Sequence, residues 1–257
     1  MNTLIFDIET VPDTELGRRL HGLHDLSDEQ VGQIMFTKRR QEVGSDFLSH
    51  EQHRVIAISV VMRSRDSLKL WSLGDEGSTE KELIERFFEG LDKFTPDLVS
   101  WNGTGFDLPV LNYRSLLHGV TASRYWETGD SDSSFRYSNY LSRFHWRNMD
   151  LMDILSGFQG RGRASLDDVA TLLGFPGKAG MQGSEVWPAY LRGELASIRA
   201  YCESDVLNTY LIYLRFELLR GRLSAQEHVR EIGRVRTLLE ESGAAHLKEF
   251  AAAWRAA

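Results

Sequence analysis

The stretch Leu4-Ile5-Phe6-Asp7-Ile8-Glu9-Thr10 constrains this chain more than any other. An apolar run of this length reads as a buried strand, and side chains separated by one intervening residue leave a strand on the same face. Asp7 and Glu9 therefore project together near the strand's end. Like charges held that close repel, and apolar surroundings raise the cost unless a divalent cation lies between them. Taken alone, Asp-x-Glu equally describes two solvent-facing residues of an edge strand.

Two later stretches tip the balance. Asn102-Gly103-Thr104-Gly105-Phe106-Asp107 supplies a third carboxylate, and Tyr201-Cys202-Glu203-Ser204-Asp205 a fourth, with a tyrosine one helical turn before it. In order and local spelling these resemble the three motifs of the DEDD (DnaQ-like) exonuclease superfamily in its tyrosine-bearing form. The whole chain is similar to the bacterial family of predicted exonucleases related to the proofreading domain of family B DNA polymerases.

The resemblance implies a 3′-5′ exonuclease that releases nucleoside 5′-monophosphates from the 3′ end of single-stranded DNA or RNA, using two divalent ions about 4 Å apart. An all-carboxylate site favours Mg²⁺ or Mn²⁺ over zinc. On the family pattern Asp7 bridges both ions, Glu9 and Asp205 complete the ion that carries the attacking water, and Asp107 holds the other. Tyr201 is placed to orient that water, since a phenol titrating near pH ~10 is a poor base. Asn102, Phe106, Thr10 and Lys178 carry over as substrate contacts. For Asn102 and Phe106 the alternative is a turn cap and a core residue.

At 257 residues the chain has ample capacity for a core. We expect an exonuclease domain over 1–221 and a helical C-terminal extension over 222–257 packed on it. The single cysteine, Cys202, forbids an internal disulfide and fits a reducing compartment. With no basic segment leading into an apolar one at the N-terminus, a cytoplasmic location is expected. The net charge of −7 argues against tight duplex binding and for a short contact at a strand end.

Residues 14–50 read as a polar helical excursion, and Arg54–Met62 and Ser67–Leu73 as a hairpin beside the first strand. Thr79 and Glu82 have capping-box spacing ahead of an amphipathic helix ending near Pro96. Asp97–Trp101 returns as a strand and Leu108–Leu117 as a helix. Glu194–Arg220 forms one long helix carrying Ile198, Tyr201, Asp205, Asn208 and Ile212 along a sheet-facing stripe. Ser224 and Glu227 open another helix, and Leu247, Phe250 and Trp254 share one face of a last one. Together with the resemblance, this gives a ribonuclease-H-like α/β fold, a mixed sheet of five to six strands flanked by helices.

Other segments admit two readings. Lys38-Arg39-Arg40 is a phosphate contact or a solvated face. The arginines and aromatics of 119–147 suit base stacking, or a loop packed by its own side chains. Asp150 caps a helix, and in the resembled family an aspartate here lies near the metal site. Functionally, the alternatives are a nucleic-acid-binding module without catalysis and a two-metal endonuclease.

Overall fold

The computed structural model describes residues 2–177 and 180–256. Five strands, β1 (Thr3–Pro12), β2 (His53–Arg63), β3 (Leu68–Ser72), β4 (Asp97–Ser100) and β5 (Asn148–Asp150), form one mixed sheet in the order β3-β2-β1-β4-β5. The first three pair antiparallel, and β4 and β5 add in parallel on the other side. The opening strand is thus central, which places its carboxylates inside the molecule.

Alternation along β1 divides the core. Leu4, Phe6 and Ile8 face one layer, made by α3 (Glu80–Phe94) and α4 (Asp107–His118). Ile5 faces the other, where α8 (Leu195–Leu219) lies across the sheet with α6 (Leu166–Leu172) beside it. Asp7 and Glu9 share the face of Ile5 and so look toward α8.

The helix signals behave as their chemistry dictates. Thr79 and Glu82 exchange side chain and backbone at 3.3 and 2.7 Å ahead of α3, and Ser224 and Glu227 do so at 3.2 and 2.9 Å ahead of α9 (Ala225–Glu241). The excursion after β1 is α1 (Thr14–His21) and α2 (Asp28–Val43). The last helix, α10 (Ala245–Ala256), buries Leu247, Phe250 and Trp254 in the same core as α8.

Three features depart from the sequence reading. Asp150 ends a strand as well as capping α5 (Leu151–Leu155), because three residues are too few to show a strand period. A helix absent from that reading, α7 (Val186–Leu191), packs Val186 and Ala189 against Val11 and Ile198. Burial on α8 also extends well beyond one stripe, to Cys202, Val206, Tyr210 and Leu211, since the sheet covers one side and α6, α9 and α10 the other.

Segment 119–147 contains only a short 3₁₀ turn at Ser133–Phe135. Tyr125, Phe135 and Tyr140 are buried, the Arg147 guanidinium lies 4.2 Å from the Phe135 ring centre, and the Tyr140 hydroxyl donates to the Pro96 carbonyl at 2.6 Å. Its own side chains hold it, while Trp126, Tyr137, Phe144 and Trp146 stay exposed. Among the described residues, no helix is long and apolar enough to cross a membrane.

Candidate active site

The ladder between β1 and β4 ends at Ile5 opposite Val99, and β4 itself leaves the sheet one residue later, after Ser100 pairs with Asp150 of β5. The turn that follows is built around Asn102, whose φ of 66° asparagine tolerates better than most residues. Its carbonyl accepts from the amides of Gly105 and Phe106. Asp150, from β5, braces the same turn: its carboxylate accepts from the Asn102 and Thr104 amides, both at 3.0 Å, and from the Thr104 hydroxyl at 2.5 Å. The turn delivers Asp107 as the first residue of α4, where Oδ1 accepts the Ile8 amide at 3.2 Å.

Three distant segments thereby converge. Ligand atoms of Asp7, Glu9 and Cys202 lie within 4.8 Å of one another. Burial pushes the Asp7 carboxyl well above the usual carboxylate range, and repulsion from Asp107, Glu9 and Asp205 adds to it. Burial also lifts Asp107 to about 7, against the pull of backbone amides. Tyr201 hydrogen-bonds Asp205, and burial followed by the nearby Asp205 and Glu9 charges raises its phenol far above the ordinary value. Its hydroxyl therefore stays protonated and serves as a donor.

Carboxylates whose mutual repulsion favours protonation also favour a bound cation, which offsets the same repulsion, so this donor set fits a divalent metal. Among the described residues, those whose ligand atoms lie close enough to share one ion are Asp7, Glu9 and Cys202, with the Asp107 and Asp205 charges near enough to act on Asp7. Cys202, whose Sγ lies 3.4 Å from the Asp7 carbonyl oxygen and 3.5 Å from its Oδ2, is an addition that sequence reasoning missed. Its place three residues before Asp205 on the same helix was the available signal. Burial, with the Asp7 and Glu9 charges beside it, holds the thiol well above its ordinary value.

The expected substrate contacts fall in different places. Phe106 joins an aromatic cluster with Phe47, His50 and His53, its ring centre 5.2, 6.0 and 5.0 Å from theirs. Phe47 is exposed and was not singled out. The Thr10 hydroxyl pairs with His53 Nδ1 at 2.8 Å, next to a register shift between Glu9 and Thr10 that bends the strand at the site. Asn102 lies at the turn, its side chain over Gly105. Lys178 lies outside the described residues. In the basic run, Arg39 donates to the Phe47 carbonyl at 3.0 Å and Arg40 pairs with Asp46 at 2.6 Å, so both brace this loop.

A family model described as a predicted 3′-5′ exonuclease related to the exonuclease domain of PolB matches residues 45–254. The match takes in the segments of Asp107 and Asp205 and begins after that of Asp7 and Glu9. A DNA polymerase of Archaeoglobus fulgidus is 27% identical over 165 residues, covering 63% of this chain and 20% of the polymerase. The catalytic subunit of DNA polymerase epsilon from Schizosaccharomyces pombe is 25% identical over 147 residues, which covers 53% of this chain and 6% of that polymerase. The family B DNA polymerase of Pyrobaculum calidifontis shares the fold with a TM-score of 0.53 at 20% identity, covering 85% of this chain and 24% of the polymerase. The chain thus spans a small part of each relative's length.

Proposed function

The chain belongs to the family of predicted 3′-5′ exonucleases related to the exonuclease domain of PolB, whose model matches most of it, and from that membership we propose that it hydrolyses the terminal phosphodiester at the 3′ end of single-stranded DNA or RNA. What supports the reading is the convergence of carboxylates from β1, α4 and α8, next in sequence to the half-buried Phe106 and its exposed neighbour Phe47.

Asp7, Glu9, Asp107 and Asp205 would hold Mg²⁺ or Mn²⁺, one ion or the proposed two. When bound, such ions lower the pKa of a coordinated water and offset charge on the phosphoryl oxygens. The chain's own residues do the rest. Tyr201, kept protonated, donates a hydrogen bond that fixes Asp205, while its hydroxyl oxygen can accept from a water nucleophile and orient it. Asp150 holds the Asn102–Phe106 turn rigid, so that Asn102 and Phe106 meet the terminal nucleotides in one geometry. The half-buried Phe106 ring, backed by Phe47 and His53, offers a face on which an unpaired base stacks. A base inside a duplex already stacks on its own neighbours, which is why a single strand is the favoured substrate.

Purified protein, an end-labelled oligonucleotide and Mn²⁺ test the proposal. A ladder of shortened products growing from the 3′ end, abolished by Asp7→Ala and by Asp205→Ala, is the expected result. A ladder that survives either substitution removes the assignment, and cleavage of a circular single strand would make the protein an endonuclease instead.

A further inference from the structure

A row of polar side chains crosses the sheet beneath α8, where apolar ones would bury at less cost. Asp7 of β1 stands opposite Ser59 of β2, and Ser59 opposite Ser72 of β3, so the three side chains lie side by side on one face. Ser59 and Ser72 are both buried, with their oxygens 2.9 Å apart. Cys202 and Glu203, neighbours on α8, close the row from above. The Cys202 thiol meets both Ser59 and Oδ2 of Asp7. At the far end Ser72 Oγ donates to Glu203 Oε1 at 2.7 Å, and His246 from α10 meets Oε2 at 2.8 Å. Against the cost of burial, the bonds from His246 and Ser72 keep Glu203 ionised.

Counting hydrogens shows what such a row can do. Four gaps run from Glu203 through Ser72, Ser59 and Cys202 to Asp7, and the three residues between the carboxylates bring one hydrogen each. An ionised carboxylate only accepts, so the Ser72 hydrogen goes to Glu203, which leaves the Ser72 oxygen open to the hydrogen of Ser59. The Cys202 hydrogen goes to Oδ2 of Asp7, 3.5 Å away. The gap left without a hydrogen is the one between Ser59 and Cys202, where the Ser59 oxygen keeps a lone pair toward the thiol. A cation on Asp7 draws the charge of that carboxylate to itself and weakens it as an acceptor. The Asp7 carbonyl, 3.4 Å from the sulfur, already serves the ladder to β2, because the next amide, that of Ile8, points to the opposite edge. A buried S–H left without an acceptor would oppose cation binding.

We propose that Ser59 is the acceptor to which the Cys202 hydrogen turns when Asp7 holds a cation, and that Ser72 and Glu203 are positioning residues that keep this acceptor open. None of the three is itself a ligand. They act through Cys202, by sparing the site a stranded donor on binding, as the outer partners of carboxylate ligands do elsewhere. His246 extends the row to α10, so the last helix is fastened to the same chain of bonds. The inference rests on the reading of Asp7 as a cation ligand and goes past it to the residues behind that ligand.

Cys202 is the single cysteine of the chain, so its S–H stretch gives one infrared band in a region where no other protein group absorbs. That band moves to higher frequency when the hydrogen loses its acceptor. The full chain and its Ser59→Ala variant should show the same band without Mn²⁺, and with Mn²⁺ bound the band of Ser59→Ala should lie above that of the wild type. Calorimetric titration with Mn²⁺ should give a Kd roughly threefold to tenfold weaker in Ser59→Ala and in Ser72→Ala, the worth of one buried hydrogen bond. Ser72→Thr, which keeps the hydroxyl, should bind within about twofold of wild type. In a Cys202→Ala background neither serine-to-alanine change should weaken binding, since no thiol remains to be stranded. If melting shows Ser59→Ala to be unfolded, Ser72→Ala carries the affinity comparison by itself. Serines that serve only packing would lower the melting temperature and leave Mn²⁺ affinity as it was. That result, a penalty that survives removal of the thiol, or a wild type that binds no Mn²⁺ overturns the proposal. Protein that binds Mn²⁺ with all these dependences yet leaves every oligonucleotide intact would instead overturn the exonuclease reading alone.

Discussion

The main-chain N–H of Ile8 donates to Oδ1 of Asp107 at 3.2 Å, tying the middle of β1 to the first residue of α4 across 99 positions of sequence. The bond exists because β4 has already left β1, so that Ile8 has no strand partner on that side. Asp107→Asn keeps an acceptor there and should melt within a few degrees of wild type, yet lose at least about a hundredfold in kcat on a labelled single strand. Asp107→Leu should lose activity and also cost ~1–3 kcal/mol by leaving a buried N–H unsatisfied. Melting curves and turnover measured on both variants check the difference.

Asp7 is held among three other carboxylates, and burial with their repulsion raises its pKa. Without divalent cations this arrangement strains the fold, so Asp7→Asn should stabilise the cation-free protein, raising Tm by roughly 2–4 °C for about 1 kcal/mol relieved. Mn²⁺ should raise the Tm of the wild type and leave that of Asp7→Asn unchanged. Differential scanning fluorimetry with and without Mn²⁺ decides it, and a wild type indifferent to the cation would count against metal binding here.

Cys202 reaches Asp7 from α8 within 3.5 Å. A soft ion that prefers thiolate should be captured by Asp7, Glu9 and Cys202 together. Cd²⁺ should therefore inhibit the Mn²⁺-dependent reaction, and Cys202→Ala should raise the inhibitory concentration by about tenfold or more while basal turnover changes little. Because the thiol is buried and its pKa raised, iodoacetamide should label it only after unfolding.

Burial pushes His53 down to about 4, despite a bond to the Leu48 carbonyl. The folded state therefore binds fewer protons than the unfolded one between about pH 6.5 and pH 4. Stability contributed by the neutral ring is present in full above about pH 6.5 and is lost as pH falls through that window, by up to about 3 kcal/mol. Urea titrations at several pH values should show the slope, and His53→Gln should flatten it.

Arg114 is buried between Glu80, at 2.6 and 2.7 Å, and Asp13, at 2.5 Å, and Glu80 also accepts from the Val55 amide and meets His118. This network fastens α4 to β2 and to the end of β1. Arg114→Met removes the guanidinium at its centre and strands two buried carboxylates, so a loss of roughly 3–5 kcal/mol in unfolding free energy is expected from denaturant titration.

What the sequence determined by itself follows from short-range geometry. Strand alternation put Asp7 and Glu9 on one face, helical spacing put Tyr201 one turn from Asp205, and the spacings of Thr79 with Glu82 and of Ser224 with Glu227 opened their helices where the structure has them. Each of these depends on φ/ψ sterics within a few residues, so the local spelling suffices. Tertiary packing decided the rest. That β1 lies at the centre of the sheet, that Cys202 comes to rest on Asp7, and that a three-residue strand ends in Asp150 to brace the Asn102 turn all depend on which distant side chains fill the space between segments. Such distances are set by close packing of the whole core, and no period in the chain encodes them.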